Sequence, residues 1–458
     1  MKKTLLGALI LLAGLCAAGV VVLPMLGLSV TDLGANVRVG TALGAKLACS
    51  GRYLSGLDEQ QVSADLASYT PVTRLLNFRY DDAQHRVSTN MLGMGAIAAR
   101  YREGLGCTLE IGDTTPLDVL RVAPLSPSSA MWPAGGSTAT PHAPLQREAA
   151  RILAQDNAAG QQTRALLVVH RGRIAAEVYA PGFTADTPLL GWSMGKSLTA
   201  ILFGQMEMQG LVAVEERDLF ASWHDDARAQ ISIENLLHMA SGLAFAEVYA
   251  PGSDATAMLF GAHNAAAVAL RSPLAYAPGT HWAYSSGTTN ILAQLATRRL
   301  GGPQATLDWI TQRLLAPLGM RHTVVEVDPS GVFVGSSYVY ASARDWARLG
   351  QLMLNEGVLN GTRIVTPEWV ARARTPASSR NEQRYGYQFW LNSAAPTNTE
   401  KLRWPQLPTD VYAMRGNRAQ NVMIVPSADT VIVRLGWSAK TYPIAERVTA
   451  LLAVLPGE

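Results

Sequence analysis

The stretch Gly191-Trp192-Ser193-Met194-Gly195-Lys196-Ser197 carries the strongest signal in this chain, because it fits three motifs from different protein classes. As G-x-S-x-G, it is the strand-to-helix turn that exposes a nucleophilic serine in α/β-hydrolases. As the end of G-x-x-x-x-G-K-S, it is a loop whose backbone amides bind phosphate. As S-x-x-K, it places a serine and a lysine one helical turn apart.

Two of these interpretations lack a residue that they require. The α/β-hydrolase arrangement needs a histidine late in the chain, but the last histidine is His322, which is followed by 136 residues without one. The phosphate loop needs a glycine at position 190, where this chain has Leu190. Nucleotide binding through Gly195-Lys196-Ser197 therefore remains only as an alternative to be tested.

The S-x-x-K interpretation makes Ser193 the nucleophile and Lys196 its base. At positions i and i+3 of a helix the two side chains project from one face, within reach of each other. A serine hydroxyl needs a neighbouring base, and a lysine serves only if burial lowers its pKa, whereas an arginine stays protonated. The chain has six lysines among its 38 Lys and Arg residues, and Lys196 is the only lysine between Lys46 and Lys401.

The surrounding pattern predicts an α/β (α+β) fold. Strands, then helices, then strands again indicate an antiparallel sheet that is flanked by terminal helices and interrupted by an inserted helical subdomain. The predicted helices span residues 145–157, 192–208 and 444–455, and the predicted strands span residues 165–170, 174–179, 411–414, 421–425 and 430–435.

Four segments are expected along the chain. Residues 1–28 read as a signal anchor or signal peptide, because Lys2 and Lys3 precede a long apolar run. We favour an uncleaved anchor over cleavage, which predicts a periplasmic protein of the bacterial cell envelope with residues 4–28 in the inner membrane. A small N-terminal extension (29–124), a proline-rich linker (125–144) and the main domain (145–458) follow.

Cys49 and Cys107 are an even pair beyond the apolar segment, so oxidising conditions would let them form a disulfide. The alternative is two unpaired buried thiols. The formal charge of +3 is spread without a basic run, so nucleic acid is not an expected partner. The eight histidines show no paired metal spacing, and we expect neither a metal nor a cofactor.

Further stretches occur in the order found in the serine hydrolases related to class C β-lactamases and DD-peptidases. Residues 231–243 (ISIENLLHMASGL) resemble the segment after the catalytic helix of that family, and residues 278–287 (PGTHWAYSSG) resemble its Tyr-x-Asn or Tyr-x-Ser region. Residues 338–345 and 420–435 are most similar to the 6-aminohexanoate-dimer hydrolase branch. This resemblance implies a β-lactamase-like fold over residues 145–458 and hydrolysis of a small amide or ester.

The resemblance also implies roles for individual residues. Tyr284 would share proton transfer with Lys196, and Ser286 stands where lactamases usually have asparagine. The Lys-Thr-Gly motif has no clear counterpart, since the strand reads Tyr412-Ala413-Met414-Arg415-Gly416. The oxyanion hole would combine the Ser193 amide with one near Arg415 and Gly416.

Tyr249 falls where the amidase branch places a tyrosine in the substrate pocket, although an ordinary packed or exposed aromatic is equally compatible with the sequence. The alternatives to a small-molecule hydrolase are a catalytically silent envelope protein that binds peptidoglycan peptides, and a β-lactamase or DD-peptidase. The missing Lys-Thr pair argues against the β-lactam enzymes and favours a linear substrate.

Overall fold

A computed structural model describes residues 33–379, 381–393 and 401–457 of this chain. The predicted signal segment, residues 1–28, lies outside these residues. In the part of the chain that the structure describes, no helix is long and apolar enough to cross a bilayer.

The strands fall at both ends of the described chain, with short ones between them. They are β1 (Leu76–Asp81), β2 (Arg86–Met91), β3 (Met94–Arg102), β4 (Gly106–Leu109), β5 (Thr163–His170), β6 (Arg173–Tyr179), β7 (Leu189–Leu190), β8 (Thr323–Val325), β9 (Val339–Ala341), β10 (Val358–Leu359), β11 (Thr362–Arg363), β12 (Trp390–Leu391), β13 (Tyr412–Gly416), β14 (Gln420–Val425) and β15 (Thr430–Gly436).

The helices occupy the N-terminal region, the middle of the chain and its end. They are α1 (Leu33–Cys49), α2 (Glu59–Ala67), α3 (Ala143–Ala158), α4 (Met194–Met208), α5 (Ile233–Leu237), α6 (Asp254–Phe260), α7 (Ala266–Leu270), α8 (Ser286–Leu300), α9 (Pro303–Trp309), α10 (Ala316–Leu318), α11 (Ala343–Leu354), α12 (Pro367–Ala373) and α13 (Ile444–Leu452).

The predicted antiparallel sheet is confirmed. Within the described residues, six strands form one sheet in the order β12-β13-β14-β15-β5-β6, and each neighbouring pair is antiparallel. Strand β15 pairs with β5, which joins the end of the chain to the start of the main domain. Strands β5 and β6 form a hairpin that turns at Arg171 and Gly172.

The terminal helices cover one face of this sheet, as predicted. Leu166 and Val168 of β5 pack against α3 and α13, whereas Leu167 and Val169 point to the opposite face and join the core around α4. Alternate residues of a strand point to opposite faces, so a strand buried on both sides must be apolar throughout. This explains the unbroken apolar run of β5, all of whose residues are buried.

Helix α4 lies in the centre of the main domain. Every residue from Met194 to Met206 is buried, which explains why the helix has an apolar surface all round apart from a few polar positions. The helix begins at Met194 and not at the predicted Trp192, because Trp192 adopts a left-handed backbone with φ of 49°. Helix α13 ends at Leu452 and is shorter than predicted, since residues 453–455 form a turn.

The N-terminal region has a sheet of its own. In the described residues, β1 to β4 form an antiparallel meander in sequence order, and α1 packs against it. The predicted disulfide is confirmed: Cys49 at the end of α1 bonds to Cys107 in β4, with the two Cα atoms 6.0 Å apart. It thereby ties the helix to the sheet.

Two buried ion pairs join this N-terminal region to the main domain. Lys46 of α1 pairs with Glu326, and Asp65 of α2 pairs with Arg164 of β5. Residues 125–142 have little regular structure but are held against the main domain, where Arg348 donates hydrogen bonds to the carbonyl oxygens of residues 133 and 135.

Candidate active site

Ser193 stands at the N-terminal end of α4, directly after a strained turn. Trp192 holds a positive φ that a bulky residue rarely adopts, and its indole ring is fixed by contacts with the rings of Tyr69 and Trp437. A serine in this position usually caps its helix. Among the described residues, however, the Ser193 hydroxyl makes no capping hydrogen bond and lies 3.0 Å from the Lys196 amine instead.

Gly195 allows a loop to approach this end of the helix. A Cβ atom at Gly195 would lie 2.7 Å from the carbonyl oxygen of Gly335 and 2.9 Å from Val339, both too close for any side chain. The next carbonyl along the loop, that of Ser336, accepts a hydrogen bond of 2.9 Å from Lys196 Nζ. The glycine of the motif thus serves close packing around the lysine.

Lys196 is the centre of the site. Its side chain is 1% exposed, and its Nζ atom lies 3.0 Å from Ser193 Oγ, 2.9 Å from Ser286 Oγ and 2.9 Å from the carbonyl oxygen of Ser336. Burial lowers the pKa of Lys196 to about 8, and the negative charge of Glu247 opposes this shift. A substantial fraction of the amine is therefore neutral near physiological pH and able to accept a proton.

Ser286 connects Lys196 to a carboxylate. The Ser286 hydroxyl donates to Glu247 Oε1 at 2.6 Å, and the Ser286 backbone amide donates to Glu247 Oε2 at 2.7 Å. Tyr249 joins the same carboxylate, because its hydroxyl donates to Oε1 at 2.9 Å. The ring of Tyr249 is 56% exposed, so it marks the solvent side of the site.

Tyr284 lies on the other side of the lysine. Its ring centroid is 4.9 Å from Lys196 Nζ. Burial raises the pKa of Tyr284, while a hydrogen bond with Ser193 and the positive charge of Arg415 act against the shift. The side chain is consequently a neutral phenol at physiological pH, which can both give and receive a proton at Ser193.

An aromatic cluster packs around Tyr284. Tyr284 stacks on Trp390 with ring centroids 5.3 Å apart, and Tyr385 and Trp282 contact the same pair edge-on. Arg403 lies over the Trp390 ring at 4.5 Å. These contacts fix the Tyr284 ring.

Strand β13 passes close to the start of α4. A Cβ atom at Gly416 would lie 2.1 Å from the carbonyl oxygen of Gly191, so only glycine permits this approach. The neighbouring Arg415 is partly buried, donates to Asn421 Oδ1 at 3.4 Å, and lies over the rings of Trp390 and Trp404. Burial lowers its pKa, and Tyr284 opposes that shift.

The structure brings the predicted site residues together. Four of them meet around the lysine amine: Ser193, Lys196, Tyr284 and Ser286. Tyr249 reaches this group through Glu247, and β13 carries the remaining two predicted residues beside the nucleophile turn. Ser197, which nucleotide binding would require, is buried and donates to the carbonyl oxygen of Gln388, away from the nucleophile.

Three residues that contribute to the site were not predicted from the sequence. Ser336 acts through its backbone carbonyl, which leaves no signal in the residue type. Nothing in the sequence distinguished Trp390 from the other aromatic residues. Glu247 did offer a signal, since it is the one charged residue in a stretch of small and apolar residues and stands two positions before Tyr249, already a candidate.

Comparison with known proteins gives one family and a consistent set of relatives. The model of the Beta-lactamase family matches residues 149–455. The 6-aminohexanoate-dimer hydrolase of Paenarthrobacter ureafaciens is 26% identical over 301 residues, which cover 60% of this chain and 72% of that protein.

Solved structures show the same fold. A family VIII carboxylesterase superposes with a TM-score of 0.53 at 15% identity, covering 69% of this chain and 99% of that one. A class C beta-lactamase superposes with a TM-score of 0.52 at 17% identity, covering 69% and 98%. At these identities the superpositions establish the fold alone.

Proposed function

The chain belongs to the beta-lactamase family, and from this premise we propose that it is a serine hydrolase that cleaves small amide or ester substrates through an acyl-enzyme on Ser193. One observation carries the proposal: the amine of the buried Lys196 lies 3.0 Å from Ser193 Oγ. A base at this distance, with a pKa of about 8, is suited to removing the proton of a serine hydroxyl.

In the acylation step, Ser193 Oγ attacks the carbonyl carbon of the substrate while its proton passes to the neutral Lys196 amine. A tetrahedral intermediate results, and its negative oxygen needs two hydrogen-bond donors. We assign these donors to the backbone amide of Ser193 and to a backbone amide at the end of β13, near Gly416. The close approach of Gly416 to the nucleophile turn supports this assignment.

Collapse of the intermediate breaks the bond to the leaving group, which must take up a proton. We assign this step to the hydroxyl of Tyr284, whose ring centroid lies 4.9 Å from Lys196 Nζ; it gives this proton and recovers one from the protonated Lys196. A water molecule then attacks the acyl-enzyme and loses a proton to the neutral Lys196 amine. The second tetrahedral intermediate collapses to the acid product, and the protonated amine returns that proton to Ser193 Oγ as the bond to the acyl group breaks. The sequence of steps consumes one water and leaves the enzyme unchanged.

The substrate we propose is a small linear amide or ester. The curated relative acts on a 6-aminohexanoate dimer, and the carboxylesterase shares the fold. The disulfide Cys49–Cys107 supports a location in an oxidising compartment such as the periplasm.

Labelling with a fluorophosphonate probe tests the proposal. The full-length protein should acquire one adduct, which peptide mass mapping locates at Ser193, and the Ser193→Ala variant should stay unlabelled. Turnover of p-nitrophenyl esters and of a linear amide dimer should be lost in the same variant. Nitrocefin hydrolysis in its place would point to a β-lactamase. An unlabelled wild type that binds peptidoglycan peptides would make the protein a binding protein.

A further inference from the structure

Lys196 Nζ has three hydrogen-bond neighbours, on Ser336, Ser286 and Ser193. At the first two, the surroundings determine which atom donates. The carbonyl oxygen of Ser336 can only accept, so Lys196 Nζ donates to it at 2.9 Å. The Ser286 hydroxyl can donate or accept, and its direction depends on its other partner. That partner is Glu247, whose carboxylate has no hydrogen to give when it is ionised.

Glu247 determines that the Ser286 hydroxyl accepts a hydrogen bond from Lys196 and does not donate one to it. A serine hydroxyl has one hydrogen, and the Ser286 hydrogen goes to Glu247 Oε1 over 2.6 Å. Oε2 is occupied by the Ser286 backbone amide at 2.7 Å, which locks the carboxylate against the start of α8. Ser286 Oγ is therefore left with its lone pairs towards Lys196, 2.9 Å away.

This arrangement orients the neutral form of the base. A neutral amine has two hydrogens and one lone pair, and both hydrogens are taken by the fixed acceptors on Ser286 and Ser336. The lone pair is then left for the third neighbour, Ser193 Oγ at 3.0 Å. We infer that Glu247 is a positioning residue that acts through Ser286 to aim the lone pair of Lys196 at the nucleophile.

The inference rests on the proposed function and adds a residue to it. Glu247 also acts by charge, since its carboxylate favours the protonated amine against the effect of burial. The other titratable or charged groups facing this cluster are Tyr284, beside the lysine, Tyr249, bonded to the carboxylate, and Arg415, whose charge acts on Tyr284. Among the described residues, Glu247 is the acidic group whose charge raises the pKa of Lys196.

The variant Glu247→Gln distinguishes the positioning role of Glu247 from the effect of its negative charge on Lys196. The hydroxyl and the backbone amide of Ser286 reach the two different oxygens of Glu247, and a glutamine has an acceptor oxygen at only one of these two positions. With its NH2 group towards Ser286 Oγ, the serine hydrogen turns to the Lys196 lone pair and blocks it. We expect the limiting kcat/KM at high pH to fall at least about tenfold, while the midpoint of the acidic limb moves to lower pH because a negative charge is gone.

Two further variants show whether Glu247 acts through Ser286. Ser286→Ala should lower the limiting rate by a similar factor and leave Glu247 charged. The double variant Ser286→Ala/Glu247→Gln should be no slower than Ser286→Ala alone, because the two residues form one chain. Glu148→Gln is the matched control: it neutralises a carboxylate that pairs with Arg151 on the surface of α3 and should behave as wild type.

The outcomes distinguish this inference from the proposed function. A wild type that is not labelled at Ser193 removes both. A labelled wild type whose limiting rate is unchanged in Glu247→Gln or in Ser286→Ala contradicts the inference alone, and so do losses that multiply in the double variant. If Glu247→Gln fails to fold in a thermal unfolding measurement, Ser286→Ala by itself still decides the matter.

Discussion

At the scale of single residues, the proposed reaction depends on the protonation state of Lys196. Its pKa is held near 8 by burial, with Glu247 opposing. Only the neutral amine accepts the Ser193 proton, and the neutral fraction grows as the pH rises through the pKa. The rate of hydrolysis must therefore rise with pH and then level off.

The corresponding pH profile is our first prediction. For a substrate without ionisable groups, kcat/KM should increase about tenfold per pH unit on the acidic side and reach a plateau above a midpoint of about 8. The measurement is ester hydrolysis across the pH range, with folding checked by circular dichroism at each point. A rate that is constant between about pH 6 and pH 9 would show that Lys196 does not titrate in the rate-determining step.

Tyr284 gives a second prediction. Tyr284→Phe removes the hydroxyl and keeps the ring that lies beside Lys196 and stacks on Trp390. We expect turnover of amides to fall by about 10²-fold or more, because a poor leaving group needs its proton. The loss should be smaller for p-nitrophenyl esters, whose leaving group departs as an anion.

The control for this variant is Tyr276→Phe, which changes an exposed tyrosine that stacks on His281. The control should turn over amides and p-nitrophenyl esters at the wild-type rates. Amide turnover by Tyr284→Phe close to the wild-type rate would remove this hydroxyl from the mechanism.

Only some of the site residues could be predicted from the sequence pattern itself, and the reason is physical. The spacing of Ser193 and Lys196 alone brings the two side chains together, because a helix fixes that geometry locally. Tyr284 and Ser286 became candidates only by resemblance, since their approach to Lys196 depends on the packing of α8 against α4. The carbonyl of Ser336 could not be predicted, because it is a property of the backbone path.

At the scale of elements, the loop between β8 and β9 links the N-terminal region to the base. Glu326 at its start pairs with Lys46 and accepts hydrogen bonds from Ser50 Oγ at 2.8 Å and from the Cys107 amide at 2.7 Å. Ser336, near the end of the same loop, holds Lys196. The α1 helix and the disulfide therefore help to fix the carbonyl that orients the catalytic amine.

A third prediction concerns this buried ion pair. Glu326→Gln leaves the fully buried Lys46 without a negative partner, and burial already lowers the pKa of that lysine. Breaking a buried pair from one side costs about 3–5 kcal/mol, so the free energy of unfolding should fall by about that amount in a denaturant titration.

Glu110→Gln is the matched control, because its carboxylate pairs with Arg86 at a partly exposed site of the N-terminal sheet. A surface pair of this kind contributes about 0–1 kcal/mol. A Glu326→Gln variant that is destabilised no more than this control would mean that the pair does not hold the N-terminal region in place.

The sheet of the main domain could be predicted from the sequence, whereas that of the N-terminal region was not. Strand β5 contains the unbroken apolar run 165–169, which stands out from its surroundings. Strand β2 (RVSTNM) alternates between buried and half-buried positions and contains mostly polar residues, so its pattern is weak. Short meander strands with one solvated face give such weak patterns because half of their side chains stay polar.

At the scale of the whole molecule, the N-terminal region packs beside the turn that carries Ser193. Its Tyr69 contacts the ring of Trp192, the residue before the nucleophile, and its Asp65 backbone accepts a hydrogen bond of 2.9 Å from the indole of Trp437. The family match begins at residue 149, so these contacts come from outside the shared domain. The strained turn at Trp192 is thus supported by a part of the chain that the family model does not include.

The central claim is that Ser193 is activated by a lysine that must lose its proton. Lys196→Arg tests it most directly, because it keeps the positive charge and removes the base. An arginine has a pKa above about 12 and no neutral form to accept the serine proton. Lys440→Arg, at an exposed position near the end of the chain, is the matched control.

The measurement is the rate constant for labelling of Ser193 by a fluorophosphonate, in wild type and both variants, each normalised to the folded fraction found by circular dichroism. The account predicts that Lys196→Arg is slower by at least about 10³-fold and that Lys440→Arg equals wild type. A Lys196→Arg rate within about tenfold of wild type would contradict the account, because a permanently charged side chain would then suffice.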